Sequence, residues 1–169
     1  KLLLLPGSRS SEVRANMPRM LEVFRAVSRT RPGLAGLVMA AKEALVPLVR
    51  AAARGAAWPA NLHVAHSDPD AAIAWCDCAL NVSGTVSLDL AHQRKPMVAV
   101  YWTGRIKVVG GTVVLLTPDR LLPNIVAGRR IVPVSPIGWQ DCSRRWSWYS
   151  RPEGHRPSFR FAVSRKGLV

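Results

Sequence analysis

Three short polar clusters carry the residue types that could do chemistry, and each follows or opens beside an apolar run. The first is Ser83, Gly84 and Thr85, preceded by the apolar run Ala79 to Val82 and followed by Val86, Leu88, Leu90 and Ala91, with a new apolar run opening at Pro96. That order reads as strand, tight turn, helix, strand. Two hydroxyl side chains and a glycine at such a turn place unpaired backbone N–H groups and O–H donors at the positive end of a helix, where a phosphate is stabilised. Asp89 lies four residues after Thr85 and so shares its helix face one turn further in. A carboxylate there suits a ribose diol, whereas a capped helix with a solvated aspartate is the plainer alternative for this motif alone. The second cluster, Gly7, Ser8 and Arg9, follows Leu2 to Leu5 and Pro6. Here Arg9 can make charge-assisted bonds to a diphosphate that backbone amides also cradle. The third is Leu122, Pro123 and Asn124. Neither G-x-G-x-x-G nor G-x-x-x-x-G-K-[ST] occurs, so no dinucleotide fingerprint and no P-loop applies.

The elements that must position these clusters alternate along the chain. After Leu2 to Leu5, the residues Val13, Met17, Met20, Leu21, Phe24 and Val27 recur at helical spacing, and Arg31, Pro32 and Gly33 end the run. Asn16 followed by Pro18 predicts a break, with the main helix restarting on Asn16 as its cap. A strand near Ala35 to Ala40 precedes an alanine-rich helix from about Glu43 to Arg54, which Gly55 and Pro59 stop. Arg50 and Arg54 form a solvated stripe on it. A third strand at Leu62 to His66 leads through Ser67, Asp68, Pro69 and Asp70 into a short helix ending near Cys76. Alternation of this kind predicts an α/β fold, a Rossmann-like parallel sheet with helices on both faces. Loops that directly follow parallel strands all emerge at one edge, so the three clusters are expected to converge on one crevice.

Composition narrows the class without choosing a partner. The 169 residues, 49% hydrophobic and 20% charged, suit one domain with a proper core. The net charge of +14 favours anionic partners, including nucleotides, acidic lipid surfaces and nucleic acid. No apolar run approaches the ~20 residues of a membrane span. Lys1 and Leu2 to Leu5 imitate a signal peptide, but Pro6 and Gly7 interrupt it short of the ~7–15 residues of an h-region. The run reads as a buried strand, and a chain that opens on one without Met reads as a fragment. Three cysteines, Cys76, Cys78 and Cys142, make no paired framework and suit a reducing cytoplasm. His63, His66, Cys76 and Cys78 match no zinc spacing, and His63 and Cys78 fall where strand residues are expected to be buried, so no metal site is expected. Trp58 and Trp75 read as packing residues rather than a stacking platform for nucleic acid.

Taken together, Leu4 to Arg9 with Ser11, Glu12 and Val13, then Ser83 to Thr85 with an acid six positions after the serine, then Lys95 to Val98 and Tyr101, then Leu122 to Arg129 with Val132 and Pro133, resemble the C-terminal half of the lipid-A-disaccharide synthase family. The resemblance covers about Lys1 to Pro133. It implies the nucleotide-sugar-binding half of a two-domain GT-B glycosyltransferase, acting in the cytoplasm at the inner membrane. The substrates it implies are UDP-2,3-diacylglucosamine and the lipid acceptor 2,3-diacylglucosamine 1-phosphate, joined through a β-1,6 linkage with release of UDP. Carried over, Gly7, Ser8 and Arg9 meet the diphosphate, Ser83, Gly84 and Thr85 the phosphate end, Asp89 the ribose, and Asn124 the nucleotide-sugar crevice. No cofactor and no nucleic acid are expected, UDP-sugar being a substrate. The catalytic base and the membrane contact are expected in the other half, leaving this chain inactive alone.

Two features depart from that family. Asp89 stands where glutamate is usual, which withdraws the carboxylate by about one methylene. After Pro133 the helical, apolar-periodic tail is replaced by Val134 to Val169, with 7 basic and 2 acidic residues and with Trp139, Trp146 and Trp148. No helical or strand period is visible there, so a domain of residues 1–133 and a poorly ordered basic tail of 134–169 are expected. A UDP-sugar 2-epimerase of similar fold would explain the turns but not Leu122 to Arg129. A basic module holding nucleic acid or a membrane surface would rest on charge alone.

Overall fold

The structure, a computed structural model, describes residues 1–82, 84–101, 122–127, 132 and 134–136. Six parallel strands form one sheet: β1 (Leu2–Leu5), β2 (Gly36–Met39), β3 (Leu62–Ala65), β4 (Cys78–Val82), β5 (Met97–Tyr101) and β6 (Val134–Pro136). Their order across the sheet is β3-β2-β1-β4-β5-β6, the doubly wound order in which the chain reverses its direction of travel between β1 and β4. Helices α1 (Ser10–Thr30), α2 (Val46–Ala51), α3 (Pro69–Trp75), α4 (Val86–His92) and α5 (Leu122–Ala127) belong to the described residues.

All four leucines of β1 are buried, because a central parallel strand is covered on both faces. Side chains alternate across the strand, so Leu2 and Leu4 join Val38, Leu80, Val98 and the apolar stripe of α1, with Val49 of α2. Leu3 and Leu5 join Ala79, Met97 and Ala99 with Ile73 of α3 and Leu90 of α4 on the opposite face. The first two helices therefore cover one side of the sheet and the next two cover the other.

Helix α1 is continuous over 21 residues with Pro18 inside it, so the expected break at Asn16 does not occur. An interior proline costs roughly 3 kcal/mol. Seven apolar side chains on both sides of it, Val13 and Met17 before and Met20, Leu21, Val23, Phe24 and Val27 after, are buried. At about 1.5–3 kcal/mol each, their burial outweighs the proline. Asn16 is 2% exposed and, instead of capping a new helix, donates through Nδ2 to the carbonyls of Glu12 at 2.8 Å and Pro6 at 3.3 Å.

Other expectations shift more modestly. The alanine-rich helix begins as a 3-10 turn at Glu43–Leu45, and α2 stops at Ala51, with the turn beyond it closed at Arg54 and Gly55, both at positive φ. Arg50 and Arg54 are exposed as expected, and Arg50 also stacks 4.7 Å from the ring centroid of Trp58, which donates to the Leu62 carbonyl. β3 is an edge strand, which leaves His63 exposed, not buried. β6 pairs with β5, so the sheet runs three residues beyond the boundary expected at Pro133, and Val134 to Pro136 belong to it. The remainder of the basic tail, and Trp102 to Leu121, lie outside the described residues.

A buried polar side chain works against the fold. Asn81 on β4 is 0% exposed, and neither amide atom has a hydrogen-bond partner among the described residues. An unsatisfied buried polar group costs about 1–3 kcal/mol. Asn81→Leu, close in shape and apolar like its neighbours Leu5 and Ala99, is expected to raise the unfolding free energy by about 1–2 kcal/mol in denaturant titrations. A loss of stability would contradict this account of Asn81.

Candidate functional site

Register brings two of the three clusters together. Leu5 at the end of β1 is the direct partner of Asn81 on β4, so the turns that follow, at Gly7 and at Gly84 to Thr85, leave the same sheet edge side by side. From there α1 and α4 diverge to opposite faces, which opens a crevice at the carboxyl ends of the strands. Ser83 itself lies outside the described residues.

The β4–α4 turn is held from within. Ser87, fully buried, donates its hydroxyl to the Gly84 carbonyl at 2.6 Å, and the Ser87 and Leu88 amides bond to Gly84 and Thr85. Thr85 is exposed and its side chain does not cap α4. Asp89 is exposed on α4 one turn beyond it, in the relation that the spacing predicts. Lys95 acts at the far end of α3, donating to the carbonyls of Ala74 and Cys76, both at 2.7 Å, where a cation complements the helix dipole.

The β1–α1 turn is the most defined part of the edge. Gly7 has φ +114°, a conformation that favours glycine, and a Cβ there would fall 2.6 Å from both Cβ and Oε2 of Glu12. Glu12 reaches back from the first turn of α1. Its Oε2 accepts from the amides of Ser8 at 2.9 Å and Arg9 at 3.2 Å, while Oε1 accepts from Nη1 of Arg9 at 2.9 Å. The spacing marks Glu12 only as an acid favoured by the helix dipole. What it misses is that a glutamate three residues after the cap position reaches the cap amide, the reciprocal half of a capping box. Burial alone would raise the Glu12 carboxyl, but the Arg9 and Ser8 amides, with the Arg9 guanidinium, together hold it below the ordinary glutamate value.

The third cluster is placed differently from expectation. Leu122 to Asn124 open helix α5 rather than a post-strand loop. Asn124 is 1% exposed, its Oδ1 accepting from the Val132 amide at 2.8 Å and its Nδ2 donating to the Val132 carbonyl at 3.0 Å. It thus mimics a strand partner and fixes Val132 into the core beside Leu5 and Ala99.

The histidine and cysteine residues do not gather. His63 and His66 are exposed, while burial pushes the Cys76 thiol up and the Cys78 thiol up to about 12, so both stay protonated and poor metal ligands. Among the described residues no three metal-binding side chains cluster, and no helix is long and apolar enough to cross a membrane. Asp68, at positive φ, caps α3 through the Ala71 amide at 2.9 Å.

Two outcomes follow from the Gly7–Glu12 geometry. Gly7→Ala combines an unfavourable φ with a collision against Glu12, and is expected to lower stability by about 1–3 kcal/mol in denaturant titrations; an unchanged midpoint would contradict it. Because the folded pKa of Glu12 is depressed, its contribution to stability is present above the ordinary value of 4.5 and is lost as pH falls through the folded value. Thermal melts below pH ~4.5 should therefore fall less steeply for Glu12→Gln than for the parent chain, and parallel curves would contradict this.

Comparison with known proteins gives the family. The family model described as lipid-A-disaccharide synthetase matches residues 1–142. The lipid-A-disaccharide synthase of Nitrobacter hamburgensis is 34% identical over 134 residues, covering 78% of this chain and 33% of its own length. That of Paraburkholderia phymatum is 37% identical over 142 residues, with 78% and 34% covered. The chain spans about a third of the length of the curated relatives it matches. By that match over most of its length, the chain belongs to the lipid-A-disaccharide synthetase family.

Proposed function

We propose that this chain is the UDP-binding part of a glycosyltransferase that moves 2,3-diacylglucosamine from its UDP donor to 2,3-diacylglucosamine 1-phosphate. The observation that supports it is the pairing of the Gly7–Arg9 and Gly84–Thr85 turns at the β1/β4 reversal, with an exposed arginine on one and an exposed threonine on the other. Family membership favours this reading over an epimerase or a charge-driven binding module.

In the transfer, the bond from the anomeric carbon to the diphosphate oxygen breaks as the acceptor hydroxyl oxygen bonds to that carbon, and negative charge grows on the departing UDP. Arg9, 78% exposed at its side chain, and the amides at the start of α1 are the donors nearest to where that charge develops. Thr85 and Gly84 border the phosphate from the β4 side, and Asp89 accepts from the ribose hydroxyls. Asn124 takes part indirectly, by bracing Val132 under the edge. The donor is a substrate, and these groups supply the positive charge without a cofactor.

A base must take the acceptor proton from the face opposite UDP. Asp68 is committed to its cap, and Glu12 lies at the Ser8 and Arg9 amides, on the side of the diphosphate rather than opposite it. The base is assigned to the remaining two thirds of the relatives' length, as are the acyl-chain surface and contact with the cytoplasmic face of the inner membrane.

Calorimetric titration of the chain with UDP tests this reading. Arg9→Ala is expected to weaken binding by about 1.5–3 kcal/mol, the worth of a charged hydrogen bond. Equal affinity for the two chains, or no binding by the parent, would overturn it.

A further inference from the structure

Glu12 places a carboxylate on the donors that a diphosphate would use. Its two oxygens take the Ser8 amide, the Arg9 amide and the Arg9 guanidinium together. These are the groups that make a helix start and its arginine attractive to an anion. A carboxylate serving only to orient Arg9 would need the guanidinium alone and would leave both amides to the ligand. Here it covers both, and the Gly7 turn is shaped so closely around it that a single added Cβ would collide. Two anions on one donor set repel each other, so carboxylate and phosphate cannot hold the turn at the same time.

We propose that Glu12 is an internal competitor for the diphosphate seat: its carboxylate holds the β1–α1 turn when UDP is away, swings out when UDP binds, and returns as UDP leaves. This rests on the reading of that turn as the diphosphate site and adds to it a device that limits how tightly product is retained. Its partner Arg9 is largely exposed and Glu12 is 29% exposed at its side chain, so both side chains already reach solvent and the exchange begins as their rotation. Apparent affinity is the intrinsic affinity reduced by the fraction of molecules with the seat open. With an open fraction of roughly 0.1–0.3, removing the competitor tightens UDP binding by roughly three- to tenfold.

The test is calorimetry of the full chain with UDP and with uridine, for the parent, Glu12→Gln and Glu12→Asp. Glutamine keeps the length but loses the charge; aspartate keeps the charge at the helix start but withdraws it from the Ser8 amide by one methylene. Both variants are expected to bind UDP roughly three- to tenfold more tightly than the parent, with uridine affinity unchanged because uridine carries no phosphate. Equal or weaker UDP binding by both folded variants, with the parent binding normally, would show that Glu12 orients Arg9 and would overturn the competition while leaving the UDP site standing. Tighter binding of uridine to the same degree would place the effect away from the diphosphate and overturn it as well. Absence of UDP binding in parent and variants alike would overturn both the site and its competitor.

Discussion

Everything in this fold depends on burying β1 on both faces. Leu2 to Leu5 have no exposed side, so helices must cover the sheet above and below, and neighbours must hydrogen-bond to both edges of the strand. A chain that satisfies this with right-handed crossovers winds outward first to β2 and β3, then returns past β1 to β4 and β5. The reversal separates α1 from α4 at the one point where two post-strand turns stand side by side. The core requirement and the crevice therefore have the same cause, and polar chemistry gathers where the core leaves backbone amides without strand partners.

Much of this was legible because the governing signals are local. Four consecutive leucines, the helical spacing from Val13 to Val27 and the glycine-hydroxyl turns all act over a few residues, and they suffice to predict a parallel α/β sheet. The failures are equally physical. Pro18 is a local breaker, but the burial that overrides it is tertiary. Val134 to Pro136 is too short to show a period, yet the open edge of β5 supplies backbone partners for three residues. His63 looked like a core strand residue because nothing in its own neighbourhood reveals that β3 lies at the sheet edge.

The candidate site divides along the same line. Gly7, Ser8, Arg9, Thr85 and Asp89 stand where spacing puts them, since each lies in the turn or first helical turns that follow its strand. Asn124 does not, because its bonds to Val132 span eight residues and depend on how that segment returns to the core. Glu12 shows a subtler limit: its position in the first turn was readable, but the reach of its carboxylate to the Ser8 and Arg9 amides follows from the positive φ of Gly7, which bends the turn around it. The turn thus has a strong preference for an anion in the absence of any ligand, and that preference is the property a diphosphate would draw on.

The central claim is that UDP sits across the β1/β4 reversal. Amide chemical shifts of the isotopically labelled chain, followed as UDP is added, test it most directly. The account predicts saturating shifts concentrated at Gly7 to Glu12 and at Gly84 to Asp89, with β3 and the outer face of α2 unmoved. Saturating shifts confined to the basic segment after Pro136, or spread over the surface without saturation, would contradict it.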